Sequence, residues 1–83
     1  MKIKLKLFAT LTDYLPQPAK KNEVEIEVAA NATVSSVIER YNLPPKLVHL
    51  VLVNGLYIYP HDRTTQNLNE GDALAIWPPI AGG

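Results

Sequence analysis

The 83-residue chain contains no cysteine. Disulfides and thiolate metal sites are therefore excluded, and the absence fits a reducing intracellular compartment. It carries no excess of charge: eight basic and eight acidic residues sum to zero at pH 7. That removes the basis for a nucleic-acid or membrane-surface role built on bulk electrostatics. No apolar run in the sequence approaches the ~20 residues needed to cross a bilayer. The basic opening, MKIKLKLFAT, alternates lysines with apolar residues and so lacks the unbroken core of a signal peptide. A soluble, cytoplasmic protein is expected.

Groups able to carry chemistry are equally sparse. His49 and His61 are the only histidines, and neither has neighbours at metal-ligand spacing. His49 sits in an apolar run and reads as a partly buried structural residue. Pro60-His61-Asp62-Arg63 has the composition of a polar loop with Asx-type turns. There is no glycine-rich phosphate loop and no GxSxG elbow, and Ser35 and Ser36 fall inside a predicted helix. No site for independent catalysis is expected, nor any metal site.

What the chain does have is alternation. Ile3, Leu5 and Leu7 share one face of a predicted strand, while Lys2, Lys4 and Lys6 share the other. Glu23-Val24-Glu25-Ile26-Glu27-Val28 repeats the pattern with opposite charge. Paired antiparallel, the two rows gain ~0.2–1 kcal/mol per cross-strand pair. Between them, Ala9 to Leu15 forms a short helical turn ended by Pro16 and Pro18. Asn31 and Thr33 offer caps for a helix whose Val34, Val37, Ile38 and Tyr41 fall at i, i+3, i+4 and i+7. Asn42-Leu43-Pro44-Pro45 stops it.

Val48 to Val53 reads as a third strand, Asn54-Gly55 as a two-residue hairpin turn, and Leu56 to Tyr59 as a fourth strand. Pro60 to Asn69 is polar and irregular. Ala73 to Trp77 is the last strand, ended by Pro78 and Pro79. The expected fold class is α+β: a mixed sheet of four to five strands packed by one main helix, as one domain over residues 1–83. A single helix leaves one sheet face uncovered. The third strand is apolar on both faces, so either Val48, Leu50 and Leu52 or His49, Val51 and Val53 point away from the helix. An apolar patch there marks either a docking site for a partner or a seat for additional loop packing.

Glycine is also scarce, four residues in all, and two of them are the last two. At an average usage near 7%, a chance Gly-Gly ending has a probability of about 0.5%. Pro78 and Pro79 fix φ and donate no hydrogen bonds, so residues 78–83 are expected to leave the sheet as an extended arm. Gly82 and Gly83 lack Cβ, so their backbone fits a channel too narrow for side chains. Such an arm delivers its own carboxylate, which is inert until activated, for instance as an acyl-adenylate made from ATP. Attack by sulfur then yields a thiocarboxylate, and attack by an amine yields an isopeptide bond. With no cysteine in the chain, any sulfur it carries must sit on that terminus.

The element order and the Gly-Gly ending resemble the ubiquitin-like β-grasp fold, and within it the sulfur-carrier proteins. The likeness spans essentially the whole chain. IKLKLFATLTDYL (residues 3–15) and WPPIAGG (residues 77–83) are similar to the small subunit of molybdopterin synthase. Leu43-Pro44-Pro45, Val51 to Gly55, Arg63 and Leu68 to Asp72, with the short helix and the loop after it, are closer to the thiamine sulfur carrier.

The resemblance implies a carrier or co-substrate with no bound cofactor. An adenylating, ubiquitin-activating-like enzyme would spend ATP on the Gly83 carboxylate, and a sulfur donor protein would convert it to a thiocarboxylate. A synthase large subunit or a thiazole synthase would then receive the sulfur. Gly83 maps onto the modified residue, Gly82 onto the channel glycine, and Pro78, Pro79, Ile80 and Ala81 onto the arm. Phe8, Leu50, Leu52, Tyr59 and Trp77 are the expected partner surface. A covalent protein modifier and a plain interaction domain are the competing classes.

Overall fold

A computed structural model describes residues 1–79 of the chain. The first strand, β1 (Lys2–Leu7), pairs antiparallel with β2 (Glu23–Glu27) in the register the charge pattern calls for. Lys2 lies opposite Glu27, Lys4 opposite Glu25 and Lys6 opposite Glu23. Lys6 and Glu23 approach to 3.9 Å, and Lys2 reaches diagonally to Glu25 at 4.0 Å. These pairs lie in solvent, so they set register and add little stability. At the strand end, the Met1 ammonium donates to the Glu27 carboxylate at 3.0 Å, which holds that carboxyl below its ordinary range.

A 3₁₀ turn, Ala9–Tyr14, bridges the hairpin where a helical turn is expected, and buries Leu11. The helix α1 (Val34–Arg40) starts at Thr33 rather than Asn31. Thr33 Oγ1 accepts from the Ser36 amide at 3.1 Å, and Ser36 Oγ accepts from the Thr33 amide at 2.9 Å, a reciprocal cap. Its end is equally defined. Asn42 takes φ = 55°, its amide donates to the Glu39 carbonyl, and the Leu43 amide donates to the Ile38 carbonyl. This is a Schellman closure with asparagine in the left-handed position.

The chain continues through a 3₁₀ turn at Pro45–Leu47 into β3 (Leu50–Val53) and β4 (Leu56–Tyr57), and then a 3₁₀ turn at Pro60–Asp62 leads on to β5 (Ala73–Trp77). Asn54 and Gly55 adopt φ of 51° and 85°, the paired positive values of a type I′ hairpin. The sheet runs β2-β1-β5-β3-β4, with β1 and β5 parallel and the other neighbours antiparallel. Five strands and one main helix agree with the expected architecture. Ile3, Leu5, Leu7, Val51, Leu74 and Ile76 line the covered face against Val34 and Val37 of α1, and all are essentially inaccessible. Burying each such side chain stabilises by about 1.5–3 kcal/mol.

Three expectations are corrected. The third strand begins at Leu50 instead of Val48, because the Val48 amide closes the preceding 3₁₀ turn onto the Pro45 carbonyl. His49 is consequently exposed rather than partly buried. The fourth strand stops at Tyr57 instead of Tyr59, since Pro60 opens the next 3₁₀ turn. The polar, irregular stretch from Pro60 to Asn69 also buries Arg63 and Leu68.

Because α1 has only seven residues, its start carries much of its definition. Thr33→Ala should lower stability by about 0.5–2 kcal/mol in chemical denaturation, with the far-ultraviolet circular dichroism of the folded state preserved.

Candidate functional site

Strand parity places the site. β1 meets β5 with Lys6 opposite Ala75 and Leu7 opposite Ile76, and β3 meets β5 with Leu50 opposite Trp77 and Leu52 opposite Ala75. Leu7, Ile76 and Val51 are buried under α1, so Lys6, Ala75, Leu50, Leu52 and Trp77 share the opposite, uncovered face. Of the two alternatives for the third strand, Leu50 and Leu52 are therefore the outward pair. Val48, expected with them, lies outside the strand and packs half-buried against the core.

Phe8 extends this row by one step beyond β1. Its amide donates to the Ile76 carbonyl at 3.3 Å, and its ring lies parallel to Trp77 with centroids 4.2 Å apart and planes 2° off. At the other end of the face, Tyr57 sits opposite Leu52 and meets Tyr59 edge-to-face at 4.8 Å. Tyr59 in turn stacks on His61 at 5.8 Å. Four of the expected surface residues, Phe8, Leu50, Leu52 and Trp77, thus lie on one face, and Tyr59 joins them through Tyr57.

Tyr57 is the residue that sequence reasoning missed. It is 41% exposed beside Tyr59 at 57%. The signal was its parity with Leu52 across the Asn54-Gly55 turn, which can be read only once the hairpin register is known.

The face is bounded by charge on one side. Lys6, Lys20, Lys21, Asn22 and Glu23 line a depression of about 410 Å³ beside Phe8. Among the described residues, no group of three or more histidine, aspartate or glutamate side chains is placed to hold a metal ion. His61 and Asp62 lie 3.5 Å apart at the surface, within the 3₁₀ turn Pro60–Asp62. No helix of the described residues is long and apolar enough to cross a membrane.

The arm begins where this face ends. The Trp77 carbonyl accepts from the His49 amide at 3.1 Å, the last backbone bond before Pro78, which has no N–H to give. Pro78 is half-buried and Pro79 exposed. Ile80, Ala81, Gly82 and Gly83, the remainder of the expected arm and its modified end, lie outside the described residues.

Comparison with known proteins adds to this geometry. Residues 5–83 match the ThiS family. The chain is 28% identical over 92 residues to small archaeal modifier protein 3 of Haloferax volcanii, covering all of both chains. It is 30% identical over 79 residues to the molybdopterin synthase sulfur carrier subunit of Drosophila yakuba, covering 92% of this chain and 84% of that one. The solution structure of the Haloferax volcanii HVO 2177 protein superposes with a TM-score of 0.78 at 28% identity, over 100% of this chain and 87% of that one. The fold is the ubiquitin-like β-grasp.

Trp77 is the only tryptophan, so its stack on Phe8 can be followed directly. In Phe8→Ala, Trp77 emission should shift to longer wavelength and acrylamide quenching should increase. Loss of the aromatic pair should lower stability by about 0.5–1.5 kcal/mol beyond the lost apolar area.

Proposed function

The chain belongs to the ThiS family, and on that premise we propose that it is a cytoplasmic sulfur carrier whose Gly83 carboxylate is activated and converted to a thiocarboxylate for molybdopterin synthesis. The observation that carries this reading is the continuity of the uncovered face with the base of the arm. Phe8, Leu50 and Trp77 meet at the point where the chain passes into Pro78-Pro79. A partner seated on that face receives the arm that follows, so docking and delivery of the terminus are coupled by the covalent chain.

The chemistry follows from the terminus. In the active site of an adenylating enzyme, a Gly83 carboxylate oxygen attacks the α-phosphorus of ATP and pyrophosphate leaves. Hydrosulfide released by a sulfur donor protein then displaces AMP, so a carbon–sulfur bond replaces the acyl carbon–oxygen bond and the terminus leaves as a thiocarboxylate. The synthase large subunit next accepts the arm, and the sulfur passes to its small-molecule precursor. The chain's own contribution is its terminal carboxylate, and it acts as co-substrate rather than enzyme. Similarity to the Drosophila yakuba sulfur carrier subunit supports the molybdopterin branch. The thiazole synthase of thiamine synthesis is the alternative acceptor within the ThiS family.

A second reading is favoured by similarity along the whole chain to small archaeal modifier protein 3. In that role the same activated carboxylate acylates lysines of other proteins.

Intact-mass measurement on protein from sulfur-replete cells separates the two. Replacement of one terminal oxygen by sulfur is the expected result, and conjugates of higher mass without it would instead establish the modifier. Gly82→Val should keep the wild-type melting temperature and lose sulfur loading, because a side chain enters the channel meant for bare backbone. A destabilisation of ~2–5 kcal/mol, the size of a core truncation, would show that the arm is packed and is not free to be delivered.

A further inference from the structure

Arg63 is 8% exposed, and a guanidinium at that depth is costly unless its donors are satisfied. Among the described residues its hydrogen bonds all go to backbone carbonyls. Nε donates to Ile58 at 3.3 Å, Nη1 to Val48 at 3.4 Å and Nη2 to His49 at 3.1 Å. The four ion pairs of the described residues do not include it. The planar fork therefore fastens the end of the β4 segment to the two residues that lead into β3. A point-charge ammonium cannot span those three acceptors in the same way.

His49 is then held at both backbone ends. Its carbonyl accepts from Arg63, and its amide donates to the Trp77 carbonyl at 3.1 Å. Trp77 is held independently on its side chain by the parallel Phe8 ring. The last residue before Pro78 is thus restrained twice, once through a buried cation and once through a surface stack.

We propose that Arg63 is a positioning residue for the arm, acting through His49 to fix the Trp77–Pro78 junction. Arg63 is buried, so it is not part of the docking face. Its influence on delivery runs through the direction in which the chain leaves the sheet. A restrained junction lowers the conformational entropy lost when the arm enters a partner. The functional part of this inference rests on the carrier reading; the restraint itself does not.

The test uses the full chain, as wild type, as Arg63→Met, which keeps bulk and removes the donors, and as Arg63→Lys, which keeps only the charge. Amide exchange at His49 should accelerate by on the order of tenfold in both variants. Exchange at Lys4 and Leu7, whose amides bond to Asp72 and Asn22 and to no acceptor of Arg63, should stay near wild type. The anisotropy of Trp77 fluorescence should fall together with His49 protection, and the thiocarboxylate fraction in sulfur-replete cells should drop roughly tenfold.

Acceleration at His49 only in step with Lys4 and Leu7 would make Arg63 a general stabiliser and overturn the proposal. So would full protection in Arg63→Lys, or selective loss at His49 with undiminished loading. If Arg63→Met does not fold, His49→Pro removes the donor to Trp77 while keeping the carbonyl that accepts from Arg63, and unchanged Trp77 anisotropy in that variant overturns the proposal. Absence of a thiocarboxylate on wild type would end the carrier reading, while the exchange ratio and anisotropy would still decide the restraint.

Discussion

The parallel pairing of β1 with β5 at the centre of the sheet is the constraint on which the rest depends. It sets Leu5 beside Leu74 and Leu7 beside Ile76, all fully buried, on the face that α1 covers. Because side chains alternate, the same register forces Lys6, Ala75 and Trp77 to the other face. One choice of register therefore creates both the core and the uncovered aromatic and aliphatic face. A slip of one residue would exchange them. The first and last strands of the chain thus meet in the middle of the sheet, which brings Phe8 against Trp77 although the two are far apart in sequence.

The division of labour between the faces explains why so little polar chemistry is needed. On the covered face, aliphatic burial supplies stability. On the other, an aromatic and aliphatic row runs from Phe8 and Trp77 across Leu50 and Leu52 to Tyr57 and Tyr59. Tyrosine and tryptophan suit such a surface because they bring large contact area with few torsions to immobilise. The charged rows on β1 and β2 occupy the remaining part of that face and compensate each other.

Among the described residues the two buried charged side chains, Arg63 and Asp72, each tie separate segments together. Asp72 accepts from Asn54 Nδ2 at 2.9 Å and from the Asn69 amide at 2.8 Å, while Asn54 Oδ1 accepts from the Ala73 amide. This ties the β3–β4 hairpin to the start of β5, as Arg63 ties the same hairpin near its end. With no buried side-chain polar atom left without a partner among the described residues, the polar groups inside the fold define its geometry.

Much of this was legible in the sequence. The lysine and glutamate rows announced an antiparallel pair, Thr33 and the apolar spacing announced the helix, and Asn54-Gly55 announced the hairpin, because each is a local rule of sterics or hydrogen bonding. The expectation of an arm rests on the same kind of rule, as backbone freedom and restriction are properties of single residues, and its last four residues lie outside the described ones. Which parity of β3 faces outward, the exposure of His49, the shortening of β4 and the role of Tyr57 were not legible. Each depends on which strand lies alongside, and pairing between residues distant in the chain is decided by how the whole sheet buries its apolar face. Arg63 shows this most plainly. Its composition reads as a surface loop, and only the assembled fold brings three carbonyls from two separate segments within reach of its guanidinium.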